Sequence, residues 1–452
     1  MTAARLRSTG RFTRPAKAKR TEHQPTSVAE LMKILDPDAR NQTPIRPQGA
    51  GTSCTGCNTT PTGTVINMVS LDRILNIDTF NNTITAQAGV RVYQLVEALA
   101  ERGLELVGAH ELTGRTLGGA IASPSMGPGI GNRSACLSSR VLNVKMLTPN
   151  GKLMKINAPQ KNLMAAVRSS YGLLGVIVEA TLRVQPVSNF AATHRKMSID
   201  DFCSVVDTLS SNEVGFKFYL MPYRDRVYLD LRRYAESPGN TYKAGWKLKD
   251  WGESTVLPSV FKSLNRLLPL HAVRYQLIDT VSEATQGLVN GRLVNAGNNM
   301  TAGASGRNYS RTRSMLYTTW CFPASDFSVV AKAYQDFCKQ NYAESRYRCD
   351  MPAVGYHVCM DKTAVLSPSF DEPMIALQAA STQATGWENF VIDLADFAEQ
   401  WGGMPLYNQS RSVRADYARQ VYGGRLNFFR KIRRQLDPED RLLTPFMAQY
   451  FQ

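Results

Sequence analysis

Two stretches of very small side chains carry the clearest chemical signal. Gly49-Ala-Gly-Thr-Ser53 puts two glycines and an alanine beside two hydroxyls. In such a turn backbone N–H groups can approach an anion closely, and Ser and Thr add uncharged donors, which suits a diphosphate. Thr113-Gly-Arg-Thr-Leu-Gly-Gly-Ala-Ile-Ala-Ser123 repeats the pattern further along and continues through Gly127 and Gly131. A single glycine-rich turn is usually structural. Two of them, with a strand and a helix between, could clamp one extended dinucleotide. No GxGxxG stands between a strand and a helix, and no regular βαβ run appears, so a Rossmann sheet is disfavoured.

The elements that would position these turns are readable. Ser27 is placed to cap a helix over Val28 to Leu35, with Glu30 three residues on. Thr64 to Val69 and Thr83 to Ala88 read as strands. Val92, Leu95, Val96 and Leu99 recur with helical period, and Gly103 stops that helix. Leu142, Val144 and Met146 alternate with polar residues, then Asn150-Gly151 turns the chain back through Lys152 to Ile156. Leu163 to Ser170 reads as a short helix, and Gly175 to Pro186 as a strand ended by proline. Beyond Pro186, aromatic-rich strands are expected over 215–223 and 226–232, and further strands around Leu316 to Pro323 and Glu344 to Cys359. The apolar stretch 256–278, with interspersed Lys and Arg, could touch a membrane surface; a helix covering a second domain accounts for it better. Helices are also expected around Phe390 to Phe397 and over Leu426 to Gln435.

Composition bounds the function. The 452 residues suit two large domains, and 43% hydrophobic against 20% charged residues supports a sizeable core. No run of eighteen uncharged apolar residues occurs, so no spanning helix is expected. Seven Lys and Arg against the single acid Glu22 crowd residues 1–22, a large share of the formal +16. Residues 1–24 therefore read as a solvated basic arm, with mitochondrial import as the minority alternative because an apolar face is missing. The remaining positive charge could attract an anionic cofactor or substrate. No basic stripe interleaves with aromatics, so nucleic acid is not an expected partner. Eight cysteines without a secretory apolar region point to reduced thiols and a cytoplasmic location. Cys54-Thr-Gly-Cys57 lacks the second pair that a zinc site needs, and no other cluster has ligand spacing, so no metal is expected.

Three segments taken together resemble a family. Arg46-Pro-Gln-Gly-Ala-Gly-Thr-Ser53, Leu117-Gly-Gly-Ala-Ile-Ala122 and Gly172-Leu-Leu-Gly-Val-Ile-Val-Glu-Ala-Thr-Leu182 occur in the order found in FAD-linked oxidases of the vanillyl-alcohol oxidase and p-cresol methylhydroxylase type. Glu344-Ser-Arg346 looks like the Glu-x-Arg of the sugar-lactone and alditol oxidases. Leu366-Ser-Pro368, Gly402-Gly-Met-Pro405, Tyr422-Gly423, Asp437-Pro438 and Thr444-Pro445 extend the likeness to the far end. The resemblance implies an α+β fold of two domains: an FAD-binding domain over 25–188, an antiparallel-sheet cap over 189–410, and a segment over 411–452 returning to the first. It implies non-catalytic neighbours of the cofactor at Pro47, Gln48, Gly49, Ala50, Gly51, Thr52, Ser53, Thr113, Thr116, Gly118, Gly119, Ala122, Ser123 and Ile177. Many relatives carry a His, bonded to the flavin methyl, where this chain has Thr52; threonine cannot form that link, so dissociable FAD is expected. Cys136 does not match the setting of the second covalent device, and a frequent His-Gly becomes Met126-Gly127.

The implied activity is oxidation of a CH–OH group, or a related CH–NH group, by hydride transfer to flavin N5, with oxygen or a quinone as electron acceptor. The alternatives are a biosynthetic flavoprotein acting on a specialised intermediate and a non-catalytic flavin-binding protein. In the lactone and alditol enzymes Gly-Gly-x-Pro is followed by His-Trp-x-Lys; here Leu406-Tyr-Asn-Gln409 follows, so both His and Lys are gone. The candidates left for catalysis are Glu344, Arg346, His357 and Tyr407. Arg346 could grip the substrate or bring charge near the flavin, or could merely pair with Glu344 across one strand face. His357 could be the substitute base, although a lone His on a strand is more often structural. Tyr407 could bond the substrate oxygen or simply pack. His110, just before the second glycine-rich stretch, could face the flavin.

Overall fold

The computed structural model describes residues 20–108, 114–130, 136–157, 159–211, 214–235, 256–287, 291–296 and 315–452. His110, Thr113, Gly131 and nearly all of the basic arm lie outside them. The arm's last residues are not a free tail: β1 (Arg20–His23) pairs in parallel with β3 (Gly63–Asn67), which also pairs with β2 (Ile45–Gln48). The main-chain partners offered by the edge of β3 outweigh the local charge there.

A second sheet follows. It joins β4 (Ile74–Asp78), β5 (Thr83–Gln87), β9 (Val176–Pro186), β7 (Val141–Leu147) and β8 (Leu153–Asn157) in that order, with β6 (Leu104–Leu106) beside β9. The hairpin of β7 and β8 turns at Asn150-Gly151, where Gly151 takes the positive φ that the turn requires. Helices α1 (Val28–Leu35), α2 (Val92–Ala100), α3 (Leu117–Ala122) and α4 (Lys161–Val167) pack around these sheets. Ser27 caps α1 by accepting from Glu30 N at 3.1 Å, while the Glu30 carboxylate accepts from Thr26 N at 2.9 Å.

The rest of the chain builds one eight-stranded antiparallel sheet, in the order β13 (Gly291–Ala296), β10 (Asn189–Met197), β12 (Arg226–Tyr234), β11 (Gly215–Met221), β15 (Ala353–Val358), β16 (Met374–Ser381), β14 (Leu316–Pro323) and β17 (Met404–Pro405). Side chains alternate between its faces, and cross-strand partners share one. One face carries Phe216 and Phe218 and is covered by α5 (Ile199–Ser211) and α8 (Phe327–Ser345): Phe218 meets Phe202 at 4.8 Å and Phe327 at 5.6 Å between ring centroids. The opposite face looks toward the first part of the chain, where Arg232 donates to Pro128 O at 3.2 Å and a Cβ on Gly215 would strike Gly129 O.

The stretch 256–278 forms α6 (Leu257–Leu267) and the start of α7 (His271–Gly287); Leu257, Phe261, Tyr275 and Ile278 make a small core of their own. No helix among the described residues is long and apolar enough to cross a membrane. The strand expected to begin at Glu344 begins at Ala353 instead. Residues 327–345 hold a long helix whose inner face buries Phe327, Val330, Ala331, Tyr334 and Cys338. After α9 (Trp387–Gln400), the chain ends in α10 (Tyr417–Tyr422), α11 (Gly424–Leu436) and α12 (Pro445–Phe451). These return to the N-terminal third: Arg441 Nη1 donates to Leu35 O at 3.0 Å and Pro149 O at 2.7 Å, and Arg441 O accepts from Ile45 N.

Candidate active site

The two small-residue stretches fold against each other. A Cβ on Gly49 would lie 2.0 Å from Thr116 Oγ1, and one on Gly118 would lie 2.9 Å from Ala88 Cβ. Only hydrogen fits in either place, which is the physical reason for glycine there. Thr116 caps α3, its Oγ1 accepting from Gly119 N at 3.4 Å. The result is a half-open groove of about 780 Å³, counted with the solvent at its mouth. Pro47, Gln48, Gly49, Ala50, Gly51, Thr52 and Ser53 line one wall; Thr116, Gly118, Gly119, Ala122 and Ser123 line the next; Ile177 on β9 closes the end. Gly, Ala, Ser and Thr make up about half of the lining, which lets main-chain N–H groups come close to a ligand.

The groove also takes residues that the motifs alone did not mark. Arg46 lies buried beneath it, and its guanidinium donates to the carbonyl oxygens of Tyr171 and Gly172. Burial pulls its pKa down, and its Nε has no partner. Asn408 reaches the groove from the far side, and its carbonyl accepts from Ser53 Oγ at 2.9 Å and Cys54 N at 3.2 Å. Tyr317, on β14 of the eight-stranded sheet, donates to Thr52 O at 2.8 Å. The first glycine-rich turn is thus fixed by two later segments, a link that no local pattern discloses.

A second, smaller cavity opens between the groove and the inner face of the large sheet, about 410 Å³ when the solvent at its mouth is counted. Arg115, Ser125 and Met126 form its floor; Val354 and Tyr356 on β15, Gln378 on β16, and Gln409 form its roof. Arg115 borders both spaces. Gln378 donates through Nε2 to Thr319 Oγ1 at 3.3 Å, and Thr319 donates to Gln409 Oε1 at 3.0 Å. The cavity wall contains no carboxylate, imidazole or ammonium group among the described residues. Gln409 occupies the position after Gly-Gly-Met-Pro where the likeness leads one to expect lysine. That substitution was the available sequence signal for it; Arg115 sat within the second glycine-rich stretch but was passed over for its smaller neighbours.

None of the four expected catalytic residues faces this cavity. Glu344 ends α8 on the surface and accepts from Gln340 Nε2 at 2.9 Å. Arg346 is exposed and terminates the same helix at φ 60°, so the pair does not share a strand face. His357 does lie on β15, but alternation turns it away from Val354 and Tyr356 and onto Phe216, at 5.7 Å between rings. Burial pushes its pKa down to about 4, and its Nε2 has no partner. Tyr407 is fully buried among Tyr171, Tyr450, Phe451 and Tyr422, with ring separations of 4.5 to 6.3 Å, and its hydroxyl has no hydrogen bond. Within Leu406-Tyr-Asn-Gln409, Asn408 and Gln409 reach the open space and Tyr407 does not. The thiols make no disulfide. Cys136 is fully buried in the main core, where burial raises its pKa. Cys54 is held as a thiol, pushed up to about 12 by burial, and donates to Gln409 O at 3.1 Å.

Comparison with known proteins fits this geometry. Residues 22–157 match the model of an FAD binding domain. L-gulono-1,4-lactone dehydrogenase of Mycobacterium tuberculosis is 28% identical over 258 residues, which is 54% of this chain and 59% of that protein. L-gulonolactone oxidase of Bos taurus is 26% identical over 54% of this chain and 57% of its own length. Mitochondrial L-galactono-1,4-lactone dehydrogenase of Arabidopsis thaliana is 27% identical over 46% and 34%. The chain therefore matches between about a third and three fifths of these relatives' lengths. In overall fold it superposes on cholesterol oxidase from B. sterolicum with a TM-score of 0.76, across 95% of this chain and 94% of that one, at 11% identity. Residues 180–450, well over half of the sequence, match the family model described as D-arabinono-1,4-lactone oxidase, and the chain belongs to that family.

Proposed function

We propose that this chain is an FAD-dependent oxidoreductase that oxidises a CH–OH group, with the cofactor bound non-covalently. The observation that carries this is the junction of the two spaces: a groove lined by both stretches of small residues meets, at Arg115, a smaller cavity roofed by the cap sheet. The fit to FAD rests on the lining itself, where Gly49, Gly51, Gly118 and Gly119 stand beside the hydroxyls of Thr52, Ser53, Thr116 and Ser123; Gly49 and Gly118 let its two walls pack without a methyl between Gly49 and Thr116 or between Gly118 and Ala88. Pro47 to Ser53, Thr116, Gly118, Gly119, Ala122, Ser123 and Ile177 would hold the cofactor, and Thr113 is proposed with them from the motif. When bound, FAD would supply the acceptor for a hydride from the CH–OH carbon, and the hydroxyl proton would pass to water as the carbonyl forms. Thr52 offers no imidazole and Cys136 is sealed in the core, so neither supplies a covalent tether. The chain's own part is to exclude water beneath the sheet and to orient the donor between Arg115, Gln409, Gln378 and Tyr356.

The relatives' names point to sugar lactones as donors, and oxygen or a quinone is the proposed acceptor. The cysteine-bearing sequence with no secretory apolar region suits a reducing compartment, and a cytoplasmic site is proposed on that ground. The purified protein should be yellow, and acid precipitation should release FAD into the supernatant. A colourless protein that takes up no added FAD would reject the reading, as would flavin that stays with the precipitate for the non-covalent part. Bleaching of the flavin under anaerobic conditions by one member of a panel of sugar lactones, polyols and hydroxy acids, with recovery on adding oxygen or a soluble quinone, identifies donor and acceptor.

A further inference from the structure

Arg115 is the only charged residue that lines the second cavity among the described residues, and it is 2% exposed. Its Nη1 donates to Pro124 O at 2.8 Å. Its Nε and Nη2 are buried and have no partner. Those two nitrogens form one edge of the guanidinium, and their N–H bonds run nearly parallel, the arrangement that matches both oxygens of a carboxylate. A buried charge is normally paired, because desolvation without compensation is expensive. Among the described residues no acid does the pairing. The remaining walls are neutral, and the hydrogen-bond chain from Gln378 through Thr319 spends the acceptor of Gln409 while leaving its amide N–H groups. The cavity is therefore rich in donors and short of negative charge.

We propose that the second cavity takes a donor bearing a carboxylate, a hydroxy acid of the aldonate or smaller 2-hydroxy type, held side-on by Nε and Nη2 of Arg115 with the amide of Gln409 beside it. This rests on the oxidoreductase reading above and narrows its substrate class. The cation stands on the floor, beside the groove, while the roof position that carries lysine in the lactone and alditol enzymes is neutral here. A neutral lactone would offer the guanidinium edge only uncharged acceptors; its ring-opened acid brings two carboxylate oxygens and the balancing charge.

The test uses the FAD-loaded protein and three matched pairs: glycolate and methyl glycolate, L-lactate and methyl L-lactate, L-gulonate and L-gulono-1,4-lactone. Binding is read from the perturbation of the flavin absorbance spectrum under anaerobic conditions. At least one acid should bind tenfold or more tightly than its neutral counterpart. Arg115→Gln should weaken that acid at least thirtyfold, leave the neutral partner within threefold, and leave the flavin midpoint potential unchanged. Arg115→Lys, which keeps the charge but not the paired N–H edge, should recover only part of the loss, and it serves if the glutamine variant does not fold. No preference for the acid in any pair overturns the proposal. So does an unchanged preference in both variants, and so does a shifted midpoint potential with unchanged acid affinity, which would assign the free edge to the cofactor. A protein that binds no FAD fails earlier and tells against the oxidoreductase reading instead.

Discussion

At the scale of single residues, the closest approach in the groove is the sharpest constraint. Gly49 and Thr116 meet with no room for a methyl group. Gly49→Ala should weaken FAD binding at least tenfold in a fluorescence titration, because either the turn or α3 must shift. Pairing it with Thr116→Ser should leave the loss in place, since the offending Oγ1 remains, whereas Thr116→Ala should relieve part of it. A coupling of about 1–2 kcal/mol between Gly49→Ala and Thr116→Ala is the expected size for neighbours in contact; strict additivity would mean that the two stretches do not touch. Tyr407 supplies the opposite case. Its hydroxyl is buried without a partner, so Tyr407→Phe removes an unsatisfied polar group at no loss of packing. Stability should rise by about 0–1 kcal/mol, with turnover unchanged. A tenfold fall in turnover would return Tyr407 to the site. Arg346, at positive φ on the surface, should behave as a helix terminus: Arg346→Gly should stabilise by about 0.5–1 kcal/mol and leave substrate binding alone.

At the scale of elements, β15 shows why the cofactor half was legible and the catalytic half was not. The groove is specified locally, by runs of residues too small to do anything but let backbone approach, and such runs stand out in any sequence. The second cavity is specified by alternation on strands whose neighbours are far away in sequence. Val354 and Tyr356 face it while His357 does not, and only the pairing of β15 with β11 and β16 decides which face is which. A step of one residue along that strand is enough to move a side chain from the cavity to the covered face. The helix that displaced the expected strand at Glu344 was hidden for a similar reason: its polar residues are solvated, and its apolar stripe is filled by packing on α5 and the sheet. His357 then has a consequence for stability. Its folded pKa, about 4, lies below the unfolded value of roughly 6.5, so the unfolded chain takes up the proton first. Stability is therefore full above pH ~6.5, falls as the pH drops toward 4, and stops changing on this account below that, a loss of roughly 3 kcal/mol at most. His357→Phe should flatten the pH dependence of denaturant midpoints between pH 6.5 and 5. An unchanged slope would place the acid sensitivity in other groups.

At the scale of the whole molecule, the groove depends on segments from both ends of the chain. Tyr171 in the groove wall, Tyr407 beside Asn408 and Gln409, and Phe451 at the C-terminal end of α12 share one buried aromatic cluster, with Phe451 at 5.8 Å from Tyr171 and 5.1 Å from Tyr407 between ring centroids. The same Tyr171 offers its carbonyl to Arg46, under the first glycine-rich turn. Removing Phe451 should thus loosen the wall that Arg46 braces and the loop that carries Gln409. Phe451→Ala should cost about 3–5 kcal/mol, the usual range for a buried ring. FAD binds only the folded state, so saturating cofactor at a hundred times its dissociation constant should return about 2.7 kcal/mol. The discriminating measurement is FAD affinity at a temperature where the variant is still folded. It should fall at least fivefold in Phe451→Ala and not at all in Gln449→Ala, which changes an exposed side chain on the same helix. Lost stability with unaltered affinity would show that the C-terminal return merely seals the core, and that the cofactor groove is complete without it.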